Sequence, residues 1–219
     1  MKLATLLIAA TLSAAGSAMA ADAPGLDGRL DYLARTWAHV NYEIPDKHAQ
    51  AAQAETLAGE ADALARRYPN RAEPLVWEAI ATATEAGAKG GLDGLGLAKQ
   101  ARQILERAEK LNPAALGDGS VYTSLGSLYA QVPGFPIGFG DPGKARAYLR
   151  KALAANPKGI DPNFFYGDFL FRQGDYAGAV QALQQALAAP ARPGREVADR
   201  GRRGQASALL AQAKQKLHG

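Results

Sequence analysis

Residues 101–113 read ARQILERAEKLNP, and residues 145–157 read ARAYLRKALAANP. Ala101, Ala108 and Pro113 thus recur as Ala145, Ala152 and Pro157, 44 positions on, and Pro69 stands 44 positions before Pro113. The pattern returns after 34 positions at Ala179 and Ala186 and closes on Pro190. A period of this length marks stacked helical hairpins, each of which buries its apolar face against the next. The 34-residue step reads as an ordinary hairpin, and the 44-residue steps as the same unit lengthened at its turn.

Working outward, Leu26, Leu30, Leu33, Trp37, Val40 and Ile44 step at helical spacing and form one apolar stripe, which Pro45-Asp46 ends. A second helix is expected from about Lys47 to Tyr68, and a third from Pro74, a favourable first-turn proline. Gly87–Gly96 reads as a glycine-rich loop. A fourth helix follows from about Leu97, with Ala101, Ile104, Leu105, Ala108 and Leu111 on its inner face. Small residues such as Gly126 and Gly167 let the helices of a hairpin approach closely. Asp141-Pro142 and Asp161-Pro162 each read as an N-cap and first-turn proline. No alternating β-branched run suggests a sheet. The expected fold is all-α: a helical-hairpin solenoid with hairpins at about 26–69, 74–113, 119–157 and 160–190. A capping helix at about 195–217 carries its apolar edge on Leu209, Leu210, Ala213 and Leu217.

Residues 1–20 read as a leader: Met1-Lys2, an apolar run from Leu3 to Ala15, and the small-x-small site Ala18-Met19-Ala20. Cleavage after Ala20 and export to a periplasm are expected. No later run is apolar enough to span a membrane. There is no cysteine, hence neither a disulfide staple nor a lipid anchor on a new N-terminal Cys. The 25 Lys and Arg against 21 Asp and Glu give a mild positive charge, which does not point to nucleic acid.

These residues resemble the tetratricopeptide repeat. Residues 160–191 match its pattern throughout, including the Gly174/Tyr176 turn. Residues 119–157 match once seven extra residues are allowed between the helices, residues 74–113 match mainly on the second helix, and residues 26–69 match in outline. The resemblance implies a protein-binding scaffold. A narrower likeness, carried by Leu125-Gly126-Ser127-Leu128-Tyr129, Val132-Pro133-Gly134, Gly138-Phe139-Gly140-Asp141 and Lys144-Ala145, is to the T component of TRAP transporters. That likeness implies a transport accessory that binds a small, partly apolar solute and docks a solute-binding protein. The anchoring Cys typical of those proteins is lacking here.

Candidate contacts follow from the repeat register. The first helices should line the inner groove with Thr123, Ser127 and Ala130, then Phe164, Asp168 and Phe171. Counting back from Trp77 adds Glu78, Thr82 and Glu85. The groove is expected to be apolar in places, with acids and few bases, and it lacks the Lys and Asn that hold a peptide carboxylate in chaperone-binding relatives. Phe164 and Phe171 read either as ligand contacts or as packing against the C-terminal helix. Phe135, Ile137 and Phe139 lie in a glycine-punctuated insertion, where they either pack on the neighbouring hairpin or protrude to meet a partner. The Gly87–Gly96 segment should share that edge.

Other motifs carry no chemistry. Gly138–Gly143 has the form G-x-G-x-x-G, and Gly138–Lys144 that of a phosphate loop. Both need a preceding strand, and Ala145 stands where the phosphate loop wants Ser or Thr. His39, His48 and His218 are scattered. No Ser lies in a nucleophile context, and no cofactor, metal or catalytic activity is implied. Arg192, Arg195, Arg200, Arg202 and Arg203 form the densest positive cluster and read as a solvated face or a contact for an acidic partner or anionic lipid. The partner is another envelope protein, with a homo-oligomer as a further option.

Overall fold

A computed structural model describes residues 25–218; the expected leader and its cleavage site lie outside them. The described residues form nine helices and no strand: α1 (Leu26–Glu43), α2 (Lys47–Arg67), α3 (Glu73–Lys89), α4 (Gly91–Leu111), α5 (Ser120–Gln131), α6 (Pro142–Ala155), α7 (Ile160–Arg172), α8 (Tyr176–Ala188) and α9 (Glu196–His218). The odd-numbered helices form an inner layer and α2, α4, α6 and α8 an outer one. The recurring alanines explain the packing. Ala101, Ala108, Ala145, Ala152, Ala179 and Ala186 are all fully buried, so each second helix meets its neighbours at backbone range. Gly126 and Gly167 do the same on the first helices. A Cβ at Gly126 would sit 2.6 Å from Leu149 Cγ, and one at Gly167 would sit 2.8 Å from Leu183 Cγ.

Helix ends follow local chemistry. Asp46, Asp141 and Asp175 accept hydrogen bonds from the backbone N–H groups of Ala49, Lys144 and Gly178, which caps α2, α6 and α8. Pro142 opens α6 as expected. Asp161 behaves differently. Gly159 holds the N-cap of α7, and Asp161 sits inside the first turn with its carboxylate on two arginines.

The Gly87–Gly96 segment is not a loop. Helix α3 runs to Lys89 and α4 starts at Gly91, so Gly90 alone joins them, at φ +63°. That left-handed position suits glycine. Gly94 serves the same tight junction, because a Cβ there would lie 2.5 Å from the Ala86 carbonyl oxygen. The extra length of this hairpin therefore lies in its helices. In α5–α6 it lies in the connection Val132–Asp141, as expected. Leu111 is turned outward, 43% exposed.

The C-terminal helix does more than cover α8. It packs on α7 and also reaches α1, which closes the inner layer on itself. Gly201 lies against the Tyr42 ring, where any Cβ would collide, and Arg200 pairs with Glu43 at 3.2 Å. Ala206 and Ala213 are fully buried on this helix, whereas Leu217 remains 44% exposed and outside the expected apolar edge.

Candidate functional site

The inner layer lines a cavity of about 470 Å³ that is open to solvent on one side. Its lining obeys a strict register. Helix α3 contributes Ala79, Ile80, Ala83, Thr84 and Gly87; α5 contributes Thr123, Ser124, Ser127, Leu128 and Gln131, each 44 positions later. Helix α7 contributes Phe164, Phe165, Asp168 and Arg172, which stand 41 positions after Thr123, Ser124, Ser127 and Gln131.

Thr123, Ser127, Phe164 and Asp168 therefore come together on one wall. Phe171 falls one position off the stripe and meets the Tyr176 ring instead, at 5.4 Å. Ala130 is likewise outside the lining. Glu78, Thr82 and Glu85 are buried but face away from the cavity: Glu85 binds Lys89, and Thr82 donates to the Glu78 carbonyl. Trp77 gave the wrong count because it bridges two environments. It contributes to the cavity while packing with Leu33, Leu57 and Ala81 in the α1–α3 core. Repeating the 44-residue step backward from Thr123 and Ser127 identifies Ala79 and Ala83.

The walls differ in character. Trp37 and Trp77 lie 6.1 Å apart at one side, and the Trp37 indole N–H donates to Thr84 Oγ1 at 2.9 Å. Phe164 and Phe165 meet edge to face at 5.2 Å on the other. The Arg202 guanidinium covers both phenylalanine rings at 4.6 and 4.5 Å, a cation–π arrangement. Phe164 thus lines the cavity and also meets the C-terminal helix.

The expectation of few bases fails, because α9 and the segment before it bring their arginines inward. Arg202 Nε donates to Asp161 Oδ1 and its Nη1 donates to Gln205 Oε1, both at 2.7 Å. Arg192 Nη1 donates to Asp161 Oδ2 at 2.8 Å, and its Nε donates to Asp199 Oδ1 at 2.7 Å. Arg202 is buried and Arg192, Arg195 and Arg203 are half-buried, so these members of the cluster are not a solvated face; Arg200 is exposed. Burial works to raise the Asp161 carboxyl, but Arg202 and Arg192 overcome it and hold the group below the usual carboxylate range. Removing one member of such a network strands buried charge. The spacing within 192–203 shows the charge density but cannot show that Asp161, more than thirty positions upstream, would neutralise it.

Arg195 also lines the cavity, stacked 5.3 Å over Trp77. Its Nε is buried and has no hydrogen-bond partner among the described residues. Opposite charges are present nearby without touching it. Asp118 accepts the Ser120 backbone N–H at 2.9 Å, and burial raises its carboxyl above the usual range. Asp168 is engaged by Arg172 at 2.9 Å.

The expected turn-edge residues divide. Phe139 folds in, with its ring 5.6 Å from Tyr129 and under the Arg102 guanidinium at 4.6 Å. Phe135 is 95% exposed and Ile137 66%. The turn carrying them is tied down: Gly140 N–H donates to the Pro133 carbonyl at 2.9 Å and Asp141 N–H to the Tyr129 carbonyl at 3.0 Å. The two edges do meet, because Gly138 lies close to Leu95 in the first turns of α4, and Leu92 is 84% exposed one turn earlier.

Among the described residues no group of three His, Asp or Glu side chains could hold a metal ion. No described helix is long and apolar enough to cross a membrane.

Comparison with known proteins agrees with this architecture. A family model for the tetratricopeptide repeat matches residues 137–199, which run from the α5–α6 connection into the first turn of α9. The crystal structure of TTC0263, a thermophilic TPR protein in Thermus thermophilus, superposes with a TM-score of 0.54 at 19% identity, covering 74% of this chain and 80% of that one. The MamA protein gives a TM-score of 0.44 at 17% identity, covering 86% of this chain and 92% of its own. Among curated proteins no sequence match is found.

Proposed function

From a helical solenoid of tetratricopeptide-repeat fold, we propose a non-catalytic scaffold that binds a protein partner through the edge formed by the α5–α6 turn and the start of α4. The observation that carries this reading is the exposure of Phe135 and Ile137 on a turn fixed by its own backbone hydrogen bonds. A large apolar side chain held out by a rigid support loses little entropy when it is covered, which favours a specific contact. Leu92 extends the same edge.

The test is site-specific photo-cross-linking from positions 135 and 137 in cells that make the protein at native level. A discrete protein adduct is expected from both positions and not from exposed Lys99 on the outer layer. With the cross-linker moved to position 92 on the same edge, Phe135→Ser with Ile137→Ser should abolish the adduct while leaving the helical circular dichroism unchanged. Adducts that persist in this double variant overturn the edge as the contact.

Export to a periplasm belongs to the same proposal, supported by the apolar run Leu3–Ala15 and the site ending at Ala20. Its check is the mass of the protein recovered from the envelope, which should correspond to a start at Ala21. A second reading is favoured by the cavity: a transport accessory that takes a small, partly apolar solute and docks a solute-binding protein. A volume of about 470 Å³ with aromatic walls lies in the range of small-molecule sites. Co-purification of a solute-binding protein through the turn edge would favour it over a general scaffold.

A further inference from the structure

The arginines in and beside the cavity are not equivalent. Arg202 lines it and pairs with Asp161, while Arg192, outside the lining, reaches both Asp161 and Asp199. Arg172 is matched by Asp168. Arg195 alone of these four has no ion pair within 4.0 Å among the described residues, and its buried Nε makes no hydrogen bond there. Burial and then the neighbouring Arg192 both lower its proton affinity, so the folded protein holds this cation at a cost. An unmatched guanidinium beside a cavity is a strong donor set waiting for planar oxygens.

We propose that the cavity binds a small organic monocarboxylate with an apolar body, its carboxylate on Arg195 and its body between the tryptophan and phenylalanine walls. This rests on the second reading above, that the cavity takes a solute, and adds the solute's chemistry. Two features narrow the class. The aromatic pairs Trp37–Trp77 and Phe164–Phe165 border the space on two sides, with Arg195 over Trp77 and Arg202 over both phenylalanines, so a ring or a short alkyl chain would lie against the apolar ring surface those guanidiniums leave. Asp118 and Asp161 act on Arg195 from the same lining, so a second negative charge at that guanidinium would meet carboxylates; Lys47, at the first turn of α2, donates to Gln50 at 2.9 Å and stands apart from this end. The headgroup is therefore singly charged, and a phosphate dianion is disfavoured. Ser124 lies along the α5 wall, where its hydroxyl can hydrogen-bond the ligand's polar end.

The only two tryptophans of the chain, Trp37 and Trp77, line this cavity and report its occupancy by fluorescence. The probes are 4-phenylbutyrate, its uncharged amide, phenyl phosphate, and a short peptide ending in a phenylalanine carboxylate. The expected result is a saturable fluorescence change with 4-phenylbutyrate and affinity at least roughly tenfold weaker for the amide, as loss of a charge-assisted pair implies. Arg195→Gln should erase the difference between acid and amide. Arg195→Lys should restore part of it, and Lys99→Gln should leave it intact. Thermal melts of each variant establish that the fold is kept. If neither acid nor amide binds, the solute reading of the cavity falls. If acid and amide bind equally, or Arg195→Gln leaves their ratio unchanged, the cavity is a solute site and the anion assignment is wrong. Tighter binding of phenyl phosphate or of the peptide overturns the monocarboxylate class.

Discussion

Hairpins α3–α4 and α5–α6 share a 44-residue period and use it in opposite ways. The first has helices of 17 and 21 residues joined at Gly90. The second has helices of 12 and 14 residues joined by the connection Val132–Asp141. In one the added length is spliced into hydrogen-bonded helix. In the other it is gathered in a turn whose tip carries Phe135 and Ile137 into solvent. The period fixes where the buried alanines and the cavity lining fall, but it leaves free how the intervening residues are folded. Length without a packing task is where a repeat protein can acquire a contact.

The largest expected effect tests what the hairpins share. Leu105 and Leu149 are fully buried at equivalent positions, so Leu105→Ala and Leu149→Ala should each cost about 2–5 kcal/mol in urea unfolding. Costs that differ by more than this range would break the equivalence of the two cores.

The next test concerns a group that only the longer helices carry. Glu78 is buried on α3, and burial, with Asp62 nearby, raises its carboxyl to about 7. A carboxyl raised in the folded state binds its proton there more tightly than in the unfolded chain. It thus favours the fold below its ordinary value of 4.5, and that contribution fades as pH rises through about 7. Glu78→Gln should remove this slope and stabilise the protein at pH 8 by at most about 3 kcal/mol, read from Tm against pH. Asp161 has the opposite sign: its carboxyl is held below the ordinary value of 3.8, so its contribution is lost on acidification.

The two connections can be compared directly. Gly94→Ala would press on the Ala86 backbone, and Gly140→Ala on the Val132 carbonyl. Each should cost about 1–3 kcal/mol, because backbone cannot move aside as a side chain can. Equal losses would show that the long turn is as tightly built as the one-residue junction. A near-neutral Gly140→Ala would show a pliant turn. The smallest effect belongs to the tip. Phe135→Ser and Ile137→Ser should each shift stability by less than about 0.5 kcal/mol, because both side chains already face solvent.

The helical solenoid was legible because Ala101, Ala145 and Ala179 encode packing distance directly, at hairpin-length intervals of 44 and 34 positions. Thr123, Ser127, Phe164 and Asp168 lie in the lining as the register from Gly126 and Gly167 expects, whereas Ala130 and Phe171 fall outside it. The α3 stripe was misplaced by one residue because Trp77 is large enough to serve the core and the cavity together. Gly87–Gly96 read as a loop because glycine has low helix propensity, and packing against Ala86 overrode it. The role of the arginines was hidden for another reason. Asp161 and Arg202 lie on different helices, and no local periodicity links them.

The contact between α9 and α1 has a consequence for the length of the array. An open stack can gain or lose a unit at little cost, since each unit touches only its neighbours. Here the circuit passes through five inner helices and returns to its origin at Gly201 and Tyr42. A sixth could be inserted only by breaking or displacing the contact between α9 and α1. The number of repeats is therefore a property of the ring, like the number of staves in a barrel, and the bore is set by that count.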